Sequence, residues 1–161
     1  MKGSILKRNI SLTPLVIVFA ATVLTSMAAT AEDGNACSFA RAAGKYGTSD
    51  NGTVIGIGPI AADALLTLDA AGSIGGPVTG SLNGTVTHST LSGTYTVNRH
   101  CTGSASFSQF DQSGNLLLTA TVDFVWVDNM REVLFIFTSA KLGNGTALAI
   151  VINGNVKKLI A

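Results

Sequence analysis

Downstream of residue 31, hydrophobic and polar residues alternate through most of this chain with a period of two. The clearest stretch is Leu91–Asn98. Leu91, Gly93, Tyr95 and Val97 share one face, and Ser92, Thr94, Thr96 and Asn98 share the other. That spacing predicts a strand with one buried and one wet face. Leu116–Val127 repeats the pattern over a longer run. Leu116, Leu118, Ala120, Val122, Phe124 and Trp126 alternate with Leu117, Thr119, Thr121, Asp123, Val125 and Val127. Val133–Phe137 and Ala147–Ile152 are apolar on both faces, as strands covered on both sides are. Weaker strand patterns span 44–49, 60–68, 73–82, 85–90 and 103–110.

Turn chemistry separates these runs. Leu68-Asp69-Ala70-Ala71-Gly72 and Phe110-Asp111-Gln112-Ser113-Gly114 share an apolar-Asp-x-x-Gly form. The Asp side chain accepts backbone N–H bonds there, and the Gly supplies the φ > 0 position such a hairpin needs. Asn51-Gly52, Asn83-Gly84, Asn144-Gly145 and Asn153-Gly154 are further turn signals. No amphipathic helix of useful length is present, and Ala36–Ala43 allows one helical turn. A series of about eight short strands predicts an all-β fold, a small antiparallel up-and-down barrel, which leaves no open sheet edge. A two-sheet sandwich is the alternative. Aromatic residues cluster in Phe107–Phe137 rather than forming two girdles, which disfavours a membrane-embedded barrel. The expected core is Tyr95, Val97, Phe107, Leu118, Val122, Phe124, Trp126, Leu134 and Ile136.

The first 31 residues follow a different logic. Lys2, Lys7 and Arg8 precede an apolar run from Leu15 to Leu24, and the residues then turn small up to Ala29-Thr30-Ala31. This is the pattern of a cleavable signal peptide spanning residues 1–31, with cleavage leaving Glu32 first. The apolar run is too short for a comfortable membrane span of ~20 residues. One domain remains, residues 32–161, with seven Lys and Arg against nine Asp and Glu. A slightly acidic chain with no basic stripe excludes nucleic acid and anionic membrane surfaces as natural partners. The expected location is secreted or periplasmic.

Cys37 and Cys101 are the chain's two cysteines. Export carries them into an oxidising compartment, so they are expected to form one disulfide. No C-x-x-C or H-x-H spacing supports a zinc site.

Several segments together resemble a set of small exported bacterial proteins of unknown function. These are Gly58-Pro59-Ile60-Ala61, Leu66–Gly72, Leu91–Asn98, Cys101-Thr102-Gly103 and Asp123–Asn129, within a span from about Cys37 to Thr138. The resemblance implies a lipocalin-like or allene-oxide-cyclase-like β-barrel. It brings no catalytic residues with it.

Candidate chemistry is sparse. Asp123 is the titratable residue of most interest, a lone carboxylate in an apolar strand. Facing a barrel interior, it would have a raised pKa and could anchor or polarise a ligand; facing solvent, it is an ordinary surface charge. Asp128-Asn129-Met130-Arg131-Glu132 reads as a hairpin loop, and His88 and His100 are not accompanied by a nucleophile-elbow serine. The Asn-Gly-Thr triplets match a glycosylation acceptor pattern but read as turns. The expected function is a non-catalytic binding module for a small apolar molecule, with Asp123, Tyr95 and Trp126 as ligand-facing candidates. A structural or surface-interaction protein with a filled core is the alternative, and a cyclase- or isomerase-type enzyme the third class. No cofactor or metal is implied.

Overall fold

The computed structural model describes residues 36–159, so the expected signal peptide lies outside the described residues. Eight strands follow one another: β1 Gly44–Val54, β2 Gly58–Leu68, β3 Ser73–Leu82, β4 Thr85–Tyr95, β5 Thr102–Phe110, β6 Leu116–Val127, β7 Glu132–Leu142 and β8 Ile150–Lys158. Each pairs antiparallel with its neighbours in sequence, and β8 pairs with β1 to close a barrel. The sandwich alternative is set aside by that closure. A short helix, α1 Phe39–Ala42, precedes β1, capped by the Ser38 side chain accepting from Arg41 N–H.

The two Asp-x-x-Gly turns form as their residues dictate. Asp69 Oδ1 accepts from the N–H groups of Ala71 and Ser73 at 2.9 and 2.8 Å, and Gly72 takes φ 91°. Asp111 Oδ1 accepts from Ser113 and Asn115 at 2.9 and 2.8 Å, with Gly114 at φ 83°. The backbone donors at Asp69, and at Asp111 the Asn115 side-chain amide followed by the backbone donors, hold both carboxyls below the usual carboxylate range. Asn83-Gly84 turns between β3 and β4 with both residues at positive φ, as a two-residue hairpin requires. The Asp128–Met130 segment makes the tight turn from β6 to β7, and Arg131 pairs with Asp128 at 2.9 Å.

Two expected turns are not turns. Asn51-Gly52 lies inside β1 and Asn153-Gly154 inside β8, where Asn51 stands opposite Asn153. Asn-Gly favours a turn locally, but the ladder between these two strands overrides it. Likewise 85–90 and the run from Leu91 to Tyr95 form one strand, β4, rather than two.

Two expected core residues are also corrected. Leu134 and Ile136 point outward, 46% and 53% exposed, while Val133 is buried and Phe135 and Phe137 pack against the core. A strand apolar on both faces carries no internal sign of its parity. Here pairing with β6 sets it: Phe135 stands opposite Phe124, and Phe137 opposite Val122. Beyond Phe137 a bulge leaves Thr138 unpaired, between the pairs Val122–Phe137 and Thr121–Ser139. Thr138 and Ser139 are both exposed, and the inward row resumes at Ala140.

The barrel is wide for its strand number. From Asp50 the hydrogen-bonded row runs through Ala62 and Gly80 to Thr87 on β4. In the other direction it runs through Gly154, Phe135 and Phe124 to Gly103. The hydrogen bonds joining Thr96 to Ser104 and Asn98 to Thr102 place Gly103 opposite Val97. The circuit therefore returns ten residues further along the chain from where it left, at Val97 just past β4 instead of Thr87. A stagger that exceeds the strand count tilts the strands by about 40° and widens the interior.

Candidate functional site

The two barrel ends differ. One gathers α1, the 69–72 turn, the 96–101 loop and the 128–131 turn. Phe39 of α1 packs edge-on against Tyr95, with ring centroids 5.2 Å apart. The Tyr46 hydroxyl donates to Ala42 O at 2.6 Å, and Lys158 Nζ donates to Arg41 O at 2.9 Å. Arg41 also donates to Ala36 O and to the Asn129 side chain. The Cys37–Cys101 disulfide fastens this segment to the 96–101 loop. The helix thus plugs this end.

The other end carries the 55–57, 83–84 and 111–115 turns and the 143–149 connection, with no comparable plug among the described residues. Between the plug and this open end lies a cavity of about 360 Å³. Its walls are mostly apolar. Leu66, Leu68, Tyr95, Trp126, Val133 and Val156 line the plugged half, and Ile60, Leu82, Leu117, Leu142, Leu148 and Ile150 the open half. Leu117 and Leu142 line the cavity while being 37% and 39% exposed, so solvent reaches it from this end.

Two glycines on the barrel wall, Gly103 and Gly154, are covered by rings from neighbouring strands. A Cβ on Gly103 would sit 2.6 Å from the Phe124 ring, and one on Gly154 would sit 2.7 Å from the Phe135 ring. The covering aromatics stack in edge-on pairs, Phe124 with Trp126 and Phe107 with Phe137. Such pairs contribute about 0.5–1.5 kcal/mol beyond area burial.

Polar groups reach the cavity from β1, β3, β4 and β5: Thr48, Asp50, Ser81, Thr87, Ser89 and Gln109. Asp50 is the one charged side chain in the lining among the described residues. Its pKa is pushed up to about 6, first by burial and then by the charge of Asp63.

Of the ligand-facing candidates, Tyr95 and Trp126 line the cavity. The Tyr95 hydroxyl donates to Asp69 O at 2.6 Å, and burial pushes its pKa up to about 12. Asp123 does not line it. It lies exposed on the outer wall opposite Ser104 and Ile136, because Val122 and Phe124 take the inward positions on either side of it. Sequence reading missed Asp50, whose strand pattern was ended at Ser49 by the Asn51-Gly52 turn signal. The alternation Tyr46, Thr48, Asp50, Gly52, Val54 was the signal that could have found it.

No family model matches the chain, and no curated protein matches it. Among solved structures, the S-type phycobiliprotein lyase CPES from Guillardia theta is similar at 8% identity and a TM-score of 0.41, over 76% of this chain and 91% of that one. The barrel assignment rests on the closed strand register, independently of this similarity.

Proposed function

We propose that this is an exported, non-catalytic β-barrel protein that holds one small, mostly apolar molecule in its interior. The observation that carries this reading is the cavity of about 360 Å³, apolar in most of its wall and open at one end. Its size falls within the range of ligand pockets, roughly 300–1,000 Å³. A purely structural protein would gain by filling that space, since an unfilled apolar void forfeits contacts.

A non-catalytic role accords with the lining. Among the described residues it offers one carboxylate and no histidine, and its tyrosine hydroxyl is already engaged by Asp69 O. The cyclase or isomerase reading would use Asp123 or Tyr95; Asp123 stands outside, and the Tyr95 hydroxyl is the one held by Asp69 O. Export to the periplasm or beyond rests on the sequence of residues 1–31, and the disulfide supports an oxidising compartment.

Trp126 is the chain's single tryptophan and lines the cavity, so its fluorescence reports occupancy. Titration with neutral apolar molecules such as n-decanol is expected to change that emission in a saturable way. It should also raise the melting temperature, by about 2.7 kcal/mol of stability at a hundredfold excess over Kd. A panel that leaves both unchanged would point to a structural role. Intact mass of exported material, expected to begin at Glu32, tests the export reading separately.

A further inference from the structure

Asp50 is unlike the other acids of the barrel. Asp69 and Asp111 each accept two backbone N–H bonds, Asp128 pairs with Arg131, and Glu132 lies near Lys157 and accepts from Asn155. Asp63 and Asp123 have no such partner, but both are exposed on the outer wall. Asp50 faces the cavity and makes no hydrogen bond or ion pair with any described side chain or backbone group. A half-buried carboxylate without a partner is held at a cost, and something that supplies a positive charge to it would recover that cost.

The wall beside Asp50 is built small. Its cross-strand neighbours are Gly154 on β8 and Ala62 on β2, and the next residue in the row is Gly80. None of the three can donate a side-chain hydrogen bond to the carboxylate. On the β8 side, the point where a Cβ of Gly154 would sit is 2.7 Å from Asp50 Cβ and 2.7 Å from Phe135 Cζ. The missing side chain therefore lets the Phe135 ring approach the Asp50 side chain. A carboxylate flanked by a ring is a setting that favours a cation, which gains from both. A hydroxyl would hydrogen-bond there but leave the negative charge uncompensated, and an anionic head would be repelled.

We propose that the molecule held in this cavity is a small lipophilic amine, its protonated nitrogen anchored by Asp50 and its hydrocarbon body against the apolar walls. This rests on the ligand-binding reading above and names the chemical class that reading leaves open. Among the described residues, no Lys, Arg or His lines the cavity to compete for Asp50. The one other charge acting on it is Asp63, on the outer face of β2, and its sign adds to the attraction for a cation. The raised pKa of Asp50 agrees with an anion lacking its partner.

The test compares n-decylamine, n-decanol and n-decanoate, which share one hydrocarbon body, on the mature protein at pH 7.5 with Trp126 fluorescence as readout. The amine should bind at least about tenfold more tightly than the alcohol, and the acid most weakly. Asp50→Asn should abolish the preference for the amine over the alcohol, with a thermal melt confirming the fold. Asp63→Asn should keep the preference. Equal binding of amine and alcohol to the wild type would overturn the amine assignment while leaving the apolar cavity in place. A preference that survives Asp50→Asn, or disappears with Asp63→Asn, would overturn the role of Asp50. Binding of none of the three would overturn this inference and the ligand-binding reading together.

Discussion

Asp50 of β1 stands directly opposite Gly154 of β8, and the glycine lets the Asp50 side chain and the Phe135 ring come close on the inner wall. One missing side chain thus does two things. It admits the ring that would otherwise clash, and it gives the one charge in the cavity lining no side-chain partner from β8 at that position. Neither residue is unusual alone; the pairing across two strands far apart in sequence creates the feature.

Gly154 should therefore tolerate no side chain. Its φ is not in the left-handed region, so the penalty is steric: a Cβ would meet Ser49 O at 2.4 Å as well as Asp50 and Phe135. Gly154→Val is expected to cost about 1–3 kcal/mol by overpacking and to weaken decanol binding by displacing Phe135. Urea unfolding together with the fluorescence titration checks both effects. A variant as stable as wild type would mean that β1 and β8 approach less closely than described.

The carboxylate itself should depress stability at neutral pH. Its pKa is about 6 in the folded chain against 3.8 as the ordinary value, so the folded form holds the proton more tightly. Between those values the folded state binds more protons than the unfolded, and stability falls as pH rises from about 4 to about 6. Above that the penalty is constant, and below about 4 it is absent. Asp50→Asn removes it and should stabilise the ligand-free protein at pH 7.5 by roughly 1–3 kcal/mol, with the gain fading below pH 4. Melting curves at pH 3.5 and 7.5 measure the difference. Equal melting temperatures at pH 7.5 would show that Asp50 has a partner or open access to water.

Much of the architecture was legible because it is local. Ser73–Leu82 and Leu116–Val127 were read with the bounds they have, each opening just after an Asp-x-x-Gly turn whose hydrogen bonds close within five residues. What was misread depends on partners distant in sequence. Asn51-Gly52 and Asn153-Gly154 look like turns until they are laid against each other in the β1–β8 ladder that closes the barrel. Asp50 was hidden by the same error, since a strand ended at Ser49 gives its neighbour no face. Asp123 was legible as a lone acid in an apolar strand, but its side of the sheet was not.

Parity in β7 is open to direct test, because Val133–Phe137 is apolar at every position and pairing with β6 chooses the inner set. Phe135→Ala removes a ring packed on Gly154 and opposite Phe124, and is expected to cost about 3–5 kcal/mol. Leu134→Ala on the outer wall should stay within about 0.5 kcal/mol. Comparison by urea unfolding gives the order. The reverse order would place Leu134 and Ile136 inside and shift the whole strand by one residue.

The plug depends on the disulfide more than on its own helix. Four residues of α1 cannot form a stable helix alone, so Cys37–Cys101, the Phe39–Tyr95 contact and the bonds to Tyr46 and Lys158 hold it over the barrel end. The bridge joins residues 64 apart in sequence, for which loop-closure entropy gives about 4 kcal/mol. The Cys37→Ser, Cys101→Ser double variant should lose stability of that order. It should also release the segment before β1 first, because the eight-strand ladder does not need it. Hydrogen exchange would then show lost protection at the α1 amides of Ala42 and Ala43, with the ladder amides of β6 and β7 still slow. Loss of protection in all of these at once would make the plug part of the folding unit, with no independent opening at that end.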